Sequence, residues 1–194
     1  MKAIKIDNSH LKQIAEIHKQ SYYDDHFSSK LNNKMLMELY SYQIKLNKYS
    51  FCVLDEKNCV AGFVVGGYHS HEALEKFKSK KYWKLFYSLL QNPSFFIEKI
   101  IQLVKENFGK TQVNSSEKLR LFSIAIRKDM QGRGVGKLLL KRFENELSLD
   151  GINSYGLSVK KSNIQAIRFY EKYGFIKELE DLNGIYYRKE IVNE

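Results

Sequence analysis

The sequence predicts an α/β fold built as a single domain over residues 1–194. Short apolar segments typical of β-strands alternate along the chain with longer segments that have the 3.6-residue period of helices. Two turn signals, at residues 55–58 and at the Asn-Gly pair 183–184, stand between strand-like segments and predict hairpins. With 43% hydrophobic and 13% aromatic residues, the chain can bury one substantial core.

The N-terminal third of the chain predicts three strands and two helices. The strands are expected at residues 3–6, 50–54 and 60–68. The last of these is apolar on both faces, as a central strand is. Helices are expected over residues 11–22 and 32–47, each with one apolar stripe. His18 lies on the first stripe, and we expect it to be a packed histidine with satisfied ring nitrogens.

The segment 71–110 predicts two amphipathic helices, because apolar residues recur at i, i+3, i+4 and i+7 on both sides of Asn92 and Pro93. The two stripes are Tyr82, Leu85, Phe86 and Leu89, then Ile97, Ile100, Ile101, Val104 and Phe108. Lysines cluster at the start of the first helix, which leaves a peripheral membrane contact open. Packing of the stripes against the protein is the commoner reason for such a pattern.

A strand, a turn and the start of a helix are predicted in succession over residues 121–140. The turn contains the run Gln-Gly-Arg-Gly-Val-Gly at positions 131–136. Glycines at this density weaken a helix, so we interpret them as positions of unusual backbone angles or of close approach to a ligand. Helix N-termini bind anions, and the cations that would strengthen a phosphate site here are Arg127, Lys128, Arg133 and Lys137.

Two common phosphate-binding patterns do not fit this run. A P-loop would need glycine at the position of Gln131 and a hydroxyl residue at the position of Leu138. A dinucleotide fingerprint would need glycine or alanine where the chain has Lys137.

The C-terminal part of the chain predicts a strand at residues 154–159, a short helix and a final hairpin. Asn163 can cap the helix and Gly174 can end it in a left-handed turn. One face of this helix carries Ala166, Phe169, Tyr170 and Tyr173. The hairpin strands are expected at residues 175–180 and 185–191.

Two of these runs resemble the signatures of one family. Residues 131–136 fit the acetyl-CoA signature of the GNAT superfamily of N-acetyltransferases, Gln/Arg-x-x-Gly-x-Gly/Ala, at every fixed position. Residues 163–175 resemble its second signature, Asn-x-x-Ala-x-x-Phe/Leu-Tyr-x-x-x-Gly-Phe. The resemblance implies a GNAT-type domain with a mixed, twisted central sheet flanked by helices, an extra helical insertion at about 71–110 before the signature strand, and acetyl-CoA as co-substrate.

The resemblance also implies roles for individual residues. The signature strand and the glycine loop would hold the pantetheine arm and pyrophosphate through Ile124, Ala125, Ile126, Gln131, Gly132, Arg133, Gly134, Val135, Gly136 and Lys137. Asn163 would contact the pantetheine arm or only cap its helix. Tyr170 would protonate the leaving thiolate, with a core tyrosine as the alternative. A backbone N–H near Ile126 would polarise the thioester carbonyl.

In the family, the connection between the first two helices commonly lines the acceptor site. The candidate acceptor contacts are therefore Tyr22, Asp24, Asp25 and His26, although a solvated capping loop explains these residues equally well. The general base is not evident, because residues 120–126 and 157–159 contain no carboxylate and Glu117 is expected at a strand edge. We expect a water relay that touches Ser123 or Ser158, or a base from the loop at 22–31.

The leading expectation for the acceptor is a primary amine of a small molecule, such as an amino sugar or a nucleotide-linked or lipid-linked amino sugar. An aromatic and basic insertion beside the acceptor cleft suits a bulky or anionic acceptor. A protein N-terminus or lysine is the alternative acceptor. A non-catalytic acyl-CoA-binding sensor is the alternative outside enzymes.

The net charge of +10 is concentrated near the proposed phosphate site, because residues 118–142 contain eight basic and one acidic side chain. We attribute this excess to steering of an anionic cofactor. No zinc-finger, RRM or basic-helix pattern occurs, so no nucleic-acid partner is expected. The five histidines show no metal-ligand spacing, so no metal is expected. Lack of a long apolar span or signal pattern predicts a cytoplasmic protein, either a monomer or a homodimer.

Overall fold

The computed structural model of the protein describes residues 1–22, 28, 31–69, 72, 75–77, 115–182 and 184–191. A seven-stranded sheet runs through this part of the chain. Its strands are β1 (Lys2–Lys5), β2 (Tyr49–Leu54), β3 (Val60–Gly67), β4 (Arg120–Ile126), β5 (Ser154–Val159), β6 (Ile176–Glu180) and β7 (Ile185–Glu190). Their spatial order is β1-β2-β3-β4-β5-β7-β6. Only β4 and β5 are parallel neighbours in this sheet, so it is mixed, as expected.

Four α-helices of the described residues cover the two faces of this sheet. They are α1 (Leu11–Ser21), α2 (Asn33–Leu46), α3 (Val135–Leu149) and α4 (Ile164–Lys172). The positions of these helices confirm the prediction from apolar periodicity. Helix α2 begins where the side-chain oxygen of Asn32 accepts a hydrogen bond from the Met35 N–H at 2.9 Å, because this bond satisfies one of the free donors of the first turn.

The core consists of two apolar layers, one on each side of the sheet. The layer under α3 and α4 contains the buried rings of Phe143 and Tyr155. The layer under α1 and α2 contains Ile14, Tyr40 and Phe63. Every residue of β3 is buried, which confirms that its two-sided apolar sequence belongs to a central strand.

Strands β4 and β5 pair only at the start of β4. Arg120 lies opposite Gly156 and Leu121 lies opposite Leu157, and no pairing of the two strands follows although β4 continues to Ile126. Beyond these two pairs the strands diverge. A gap therefore opens in the middle of the sheet, and none of the described strands pairs with the edge of β4 that faces it.

A β-bulge in β4 changes the face that its side chains reach. Ser123 is opposite Val65 and Leu121 is opposite Gly66, so Phe122 is an extra residue on this strand. Leu121 packs in the layer under α3, whereas Ser123 contacts α1 and α2. Without the extra residue these two side chains, two positions apart, would point to the same face.

The insertion is described only at its beginning, and both of its predicted apolar stripes lie outside the described residues. Phe77 is fully buried in a cluster with Leu36 and Leu39 of α2 and with Ala15 of α1. The start of the insertion therefore packs on the protein itself. Among the described residues, no helix is long and apolar enough to cross a membrane.

Candidate active site

The glycine loop precedes α3 at the end of β4. Gly132 and Gly134 have φ angles of +75° and +79°, in the left-handed region that favours glycine. A Cβ atom at either position would meet nothing within 4 Å, so backbone conformation, not lack of room, requires these glycines. Gly134 is the N-cap of α3 and no side chain caps that helix. The first N–H groups of α3 are thus left for an anion, in an exposed loop.

Gly136 is required for a different reason, which is lack of room for a side chain. It is buried in the first turn of α3, and a Cβ atom there would lie 2.8 Å from the ring of Phe169. This glycine lets α3 pack closely on α4. The third glycine of the run therefore joins the glycine loop to the helix that carries Tyr170.

The cations near the loop divide into two groups. Arg133 and Lys137 are exposed beside the loop. Arg127 instead forms ion pairs with Asp129 at 2.7 Å and Asp55 at 2.8 Å, and donates to the backbone carbonyl of Val60. These carboxylates raise the pKa of Arg127 and hold the β2–β3 turn against the end of β4. The expectation that Arg127 strengthens a phosphate site is therefore corrected, since its guanidinium is already paired.

The free edge of β4 presents backbone groups to the gap. The Arg127 N–H bonds to the Ala61 carbonyl of β3, and alternation along the strand then directs the backbone groups of Ile124 and Ile126 to the gap. The side-chain amide of Gln131 reaches the Ile126 carbonyl at 3.4 Å. The strand segment and loop to which the resemblance assigns the cofactor thus lie side by side. Ala125 and Val135 have buried side chains, and Ala125 is paired with Phe63 of β3.

Asn163 caps α4, since its side-chain oxygen accepts a hydrogen bond from the Ala166 N–H at 3.1 Å. Its capping role is observed, and its contact with a cofactor remains a prediction. Ser158 on β5 is exposed.

Tyr170 is buried in the layer under α3 and α4, with its ring against Phe169 and Phe175. Its hydroxyl makes no hydrogen bond within the part of the chain that the structure describes. The other buried tyrosines of that part all have partners: Tyr40 with His18, Tyr49 with Asp150, Tyr155 with Glu144 and Tyr187 with Glu171. Tyr170 therefore differs from these four tyrosines, whose hydroxyls are bonded within the protein. Burial, and then the proximity of Tyr22, raises the pKa of Tyr170.

Tyr22 approaches the gap from the opposite face of the sheet. Its hydroxyl is 2.6 Å from the Ser123 hydroxyl and also receives a backbone hydrogen bond from Ile124. Ser123 is in turn 3.1 Å from the hydroxyl of Tyr40. His18 bonds to Tyr40, which confirms that it is packed and satisfied. Nothing in the sequence connected Tyr40 with this site. The signal that could have found it is that the apolar stripes of α1 and α2 each carry a polar side chain, His18 and Tyr40.

The other acceptor candidates, Asp24, Asp25 and His26, lie outside the described residues. Glu117 accepts a hydrogen bond from Ser154 at 2.8 Å. It precedes the paired end of β4, whereas the gap opens after Leu121. Among the described side chains, no group of three His, Cys, Asp or Glu is placed to hold a metal ion.

A sequence profile of the Acetyltransferase (GNAT) family matches residues 11–175 of the chain. The chain belongs to the GNAT family. Over 68 residues it is 43% identical to the ribosomal protein bS18-alanine N-acetyltransferase of Salmonella typhimurium. That match covers 35% of this chain and 45% of the relative, so less than half of the curated protein is spanned.

Solved GNAT structures have the same fold at low sequence identity. The ribosomal-protein-S18-alanine N-acetyltransferase from Escherichia coli superposes with a TM-score of 0.57 at 16% identity, over 100% of this chain and 95% of that chain. The PaiA N-acetyltransferase from Thermoplasma acidophilum, in complex with coenzyme A, superposes with a TM-score of 0.62 at 14% identity. The superposition covers 97% of this chain and 98% of that chain. The predicted GNAT-type α/β fold is therefore confirmed.

Proposed function

We propose that this GNAT protein is an acetyl-CoA-dependent N-acetyltransferase. The observation that carries the proposal is the placement of Tyr170, whose ring is buried and whose hydroxyl makes no hydrogen bond among the described residues, on the helix that packs through Gly136 against the start of the glycine loop. A non-catalytic acyl-CoA sensor needs the loop but has no use for such a hydroxyl.

The residues present fit the cofactor. The uncapped start of α3 and the exposed Arg133 and Lys137 suit the phosphates, and the free edge of β4 suits an extended arm with amide groups. Acetyl-CoA, when bound, supplies an acetyl group activated as a thioester. Gly132 and Gly134 supply the positive φ angles of this loop and place no side chain beside the first turn of α3.

The chain's own groups supply the remaining chemistry. The backbone N–H of Ile126 stabilises negative charge on the acyl oxygen, since it faces the gap and the Ile124 N–H is bonded to Tyr22. Tyr170 holds the proton for the leaving sulfur. Its raised pKa keeps the phenol protonated throughout the neutral pH range, so the proton is present when the thiolate forms.

A protein α-amino group is the acceptor class that we propose first. It is favoured by the curated relative at 43% identity, whose name specifies alanine of a ribosomal protein. A small-molecule amine such as an amino sugar is the second candidate, supported by the aromatic, lysine-rich sequence of the insertion. The relative's acceptor thus favours the alternative named from the sequence over its leading expectation.

An acceptor panel assayed by thiol release tests this function. The panel contains peptides with a free N-terminus, the same peptides with the α-amine blocked and a lysine left free, amino sugars, nucleotide-linked amino sugars and polyamines. We expect release with free N-terminal peptides and none with the blocked ones. Release confined to sugars would transfer the proposal to the second candidate. Tight binding of acetyl-CoA without release for any amine would contradict the enzyme and favour the sensor.

A further inference from the structure

A chain of hydrogen bonds leads from Tyr22 at the gap into the layer under α1 and α2. The Tyr22 hydroxyl is 2.6 Å from that of Ser123, which is 3.1 Å from the Tyr40 hydroxyl. The Tyr40 hydroxyl is 2.7 Å from Nδ1 of His18, and Nε2 of His18 is 2.8 Å from the hydroxyl of Ser28. Helix α1 with its C-cap Tyr22, helix α2, strand β4 and Ser28 of the connection between the two helices thus contribute to one continuous path.

The path is buried except at its first member. Exposed fractions are 7% for Ser123, 2% for Tyr40, 3% for His18 and 5% for Ser28, whereas Tyr22 is partly exposed. Among the members of this path, Tyr22 is the partly exposed one, so it is the member that a proton from the gap reaches first.

The hydrogen bonds of this path can all run in one direction, from Tyr22 toward Ser28. Tyr22 donates to Ser123, Ser123 donates to Tyr40, and Tyr40 donates to Nδ1 of a neutral His18 whose Nε2–H donates to Ser28. Each hydroxyl then accepts on one side and donates on the other. The imidazole at the inner end is the member whose ordinary pKa lies nearest neutrality, so it is the member able to accept a proton.

The outer end of the path lies at the free edge of β4, to which the proposed function assigns the acyl group. The Ile124 N–H, on this edge, bonds to the Tyr22 hydroxyl. Tyr22 reaches the gap from the layer under α1 and α2, whereas Tyr170 belongs to the layer under α3 and α4. One phenol is thus placed to take a proton and the other to give one.

We propose that Tyr22 is the catalytic residue that takes the proton from the acceptor ammonium, and that Ser123, Tyr40 and His18 are positioning residues that pass a proton inward. The proposal rests on the N-acetyltransferase function proposed above. The ammonium gives its proton to the Tyr22 oxygen while the Tyr22 proton moves to Ser123. The Ser123 proton moves to Tyr40, and the Tyr40 proton moves to Nδ1 of His18.

This transfer is balanced. One positive charge leaves the ammonium and arrives on the His18 imidazolium, and no bond between heavy atoms forms or breaks. The amine is left neutral, with the lone pair that attack on the thioester requires. The reverse transfer returns the proton to the gap after the reaction. The relay thereby supplies the base that no carboxylate of β4 or β5 provides.

Paired variants test the relay. Ser123→Ala breaks the path, whereas Ser123→Thr keeps a hydroxyl. His18→Gln keeps one acceptor and one donor for Tyr40 and Ser28 but takes no proton near neutral pH. With the best amine of the panel, we expect Ser123→Ala and His18→Gln to lower kcat about 10²-fold and Ser123→Thr to retain most activity. Calorimetry should give an unchanged Kd for acetyl-CoA, and the solvent deuterium isotope effect on kcat/KM should fall in both slow variants.

Opposite results would overturn the relay. The path carries no proton if the kcat values of Ser123→Ala and His18→Gln both stay within about twofold of the wild-type kcat. The same conclusion follows if Ser123→Thr is as slow as Ser123→Ala. If either variant does not fold, Tyr22→Phe decides, since it keeps the ring stacked on His18 at 4.1 Å and removes only the outer hydroxyl. If the wild type and the variants are all active, the relay is rejected and the proposed function stands. If the wild type acetylates no amine, the proposed function is rejected together with the relay.

Discussion

At the scale of single residues, Tyr170 and Tyr155 show what a buried phenol does with and without a partner. Both belong to the apolar layer under α3 and α4. The Tyr155 hydroxyl donates a hydrogen bond to Glu144 at 2.7 Å, and Glu144 also forms an ion pair with Lys189. The Tyr155 hydroxyl therefore stabilises the folded protein. Tyr170 has no such bond among the described residues. Removing each hydroxyl should therefore have opposite consequences for activity and stability.

We predict that Tyr170→Phe lowers kcat about 10²-fold and leaves the acetyl-CoA Kd unchanged, because only a proton donor is lost. The matched control is Tyr155→Phe, which should keep kcat and lose about 1 kcal/mol of unfolding free energy, since Glu144 keeps Lys189. Steady-state kinetics and urea unfolding measure both. Equal kcat in wild type and Tyr170→Phe would reduce Tyr170 to a packing residue.

At the scale of elements, the strand–loop–helix unit of β4 and α3 combines two kinds of glycine. Gly132 and Gly134 are needed for positive φ, and Gly136 is needed for contact with Phe169. A substitution at Gly134 can be chosen to separate conformation from charge, because Asn and Asp both tolerate the left-handed region and have nearly the same size.

We predict that Gly134→Asp weakens coenzyme A binding about tenfold or more relative to Gly134→Asn, because only the carboxylate repels phosphate at the positive end of α3. Isothermal calorimetry on both folded variants gives the comparison. Equal affinities would place the phosphates elsewhere.

A second element-scale feature is the ion-pair cluster that joins the β2–β3 turn to the end of β4. The Arg127 guanidinium holds the pKa of Asp55 below its ordinary value, and it does the same for Asp129. A carboxyl group with a lowered folded-state pKa stabilises the protein above its unfolded pKa, and this contribution is lost as the pH falls through the folded pKa.

We predict that the unfolding free energy falls less steeply between about pH 4 and about pH 2 in Arg127→Met than in wild type, because Asp55 and Asp129 lose the partner that lowers their pKa values. The control Lys128→Met removes one neighbouring positive charge without these ion pairs and should keep the wild-type slope. Urea unfolding across this pH range measures the slopes. Parallel curves for Arg127→Met and wild type would contradict the assigned cause.

At the scale of the whole molecule, charge acts beyond individual contacts. The chain has a net charge of +10. Residues 118–142, around the glycine loop, contain eight basic and one acidic side chain and so contribute a charge of +7. Arg127 and Arg142 within this stretch pair with carboxylates, so part of the excess is internally compensated. The remaining field still attracts an anionic ligand toward the loop.

We predict that the association rate constant for coenzyme A falls about tenfold or more between low salt and about 0.5 M salt, because salt screens this long-range attraction. Pantetheine, which lacks the phosphates, should associate at a rate that changes little. Stopped-flow fluorescence measures both ligands. The same salt dependence for the two would show that charge does not steer the cofactor.

The fold class, the order of the elements and the location of the glycine loop could all be predicted from the sequence. Local rules suffice for these features, since apolar periodicity, caps such as Asn32 and Asn163, and left-handed glycines are properties of neighbouring residues. The resemblance to the GNAT signatures added Tyr170 to the predicted site. That signature also depends only on residues close together in the sequence.

Which polar groups meet could be read only from the folded protein. The ion pairs of Arg127, the splay of β4 from β5, the bulge at Phe122 and the path from Tyr22 to His18 all depend on register between distant segments. Tyr22 and Ser123 are separated by 101 positions, and a shift of one residue in β4 would turn Ser123 to the other face. Pairing across that distance is determined by the packing of whole elements, which is why periodicity alone placed His18 and Tyr40 in the core without connecting them.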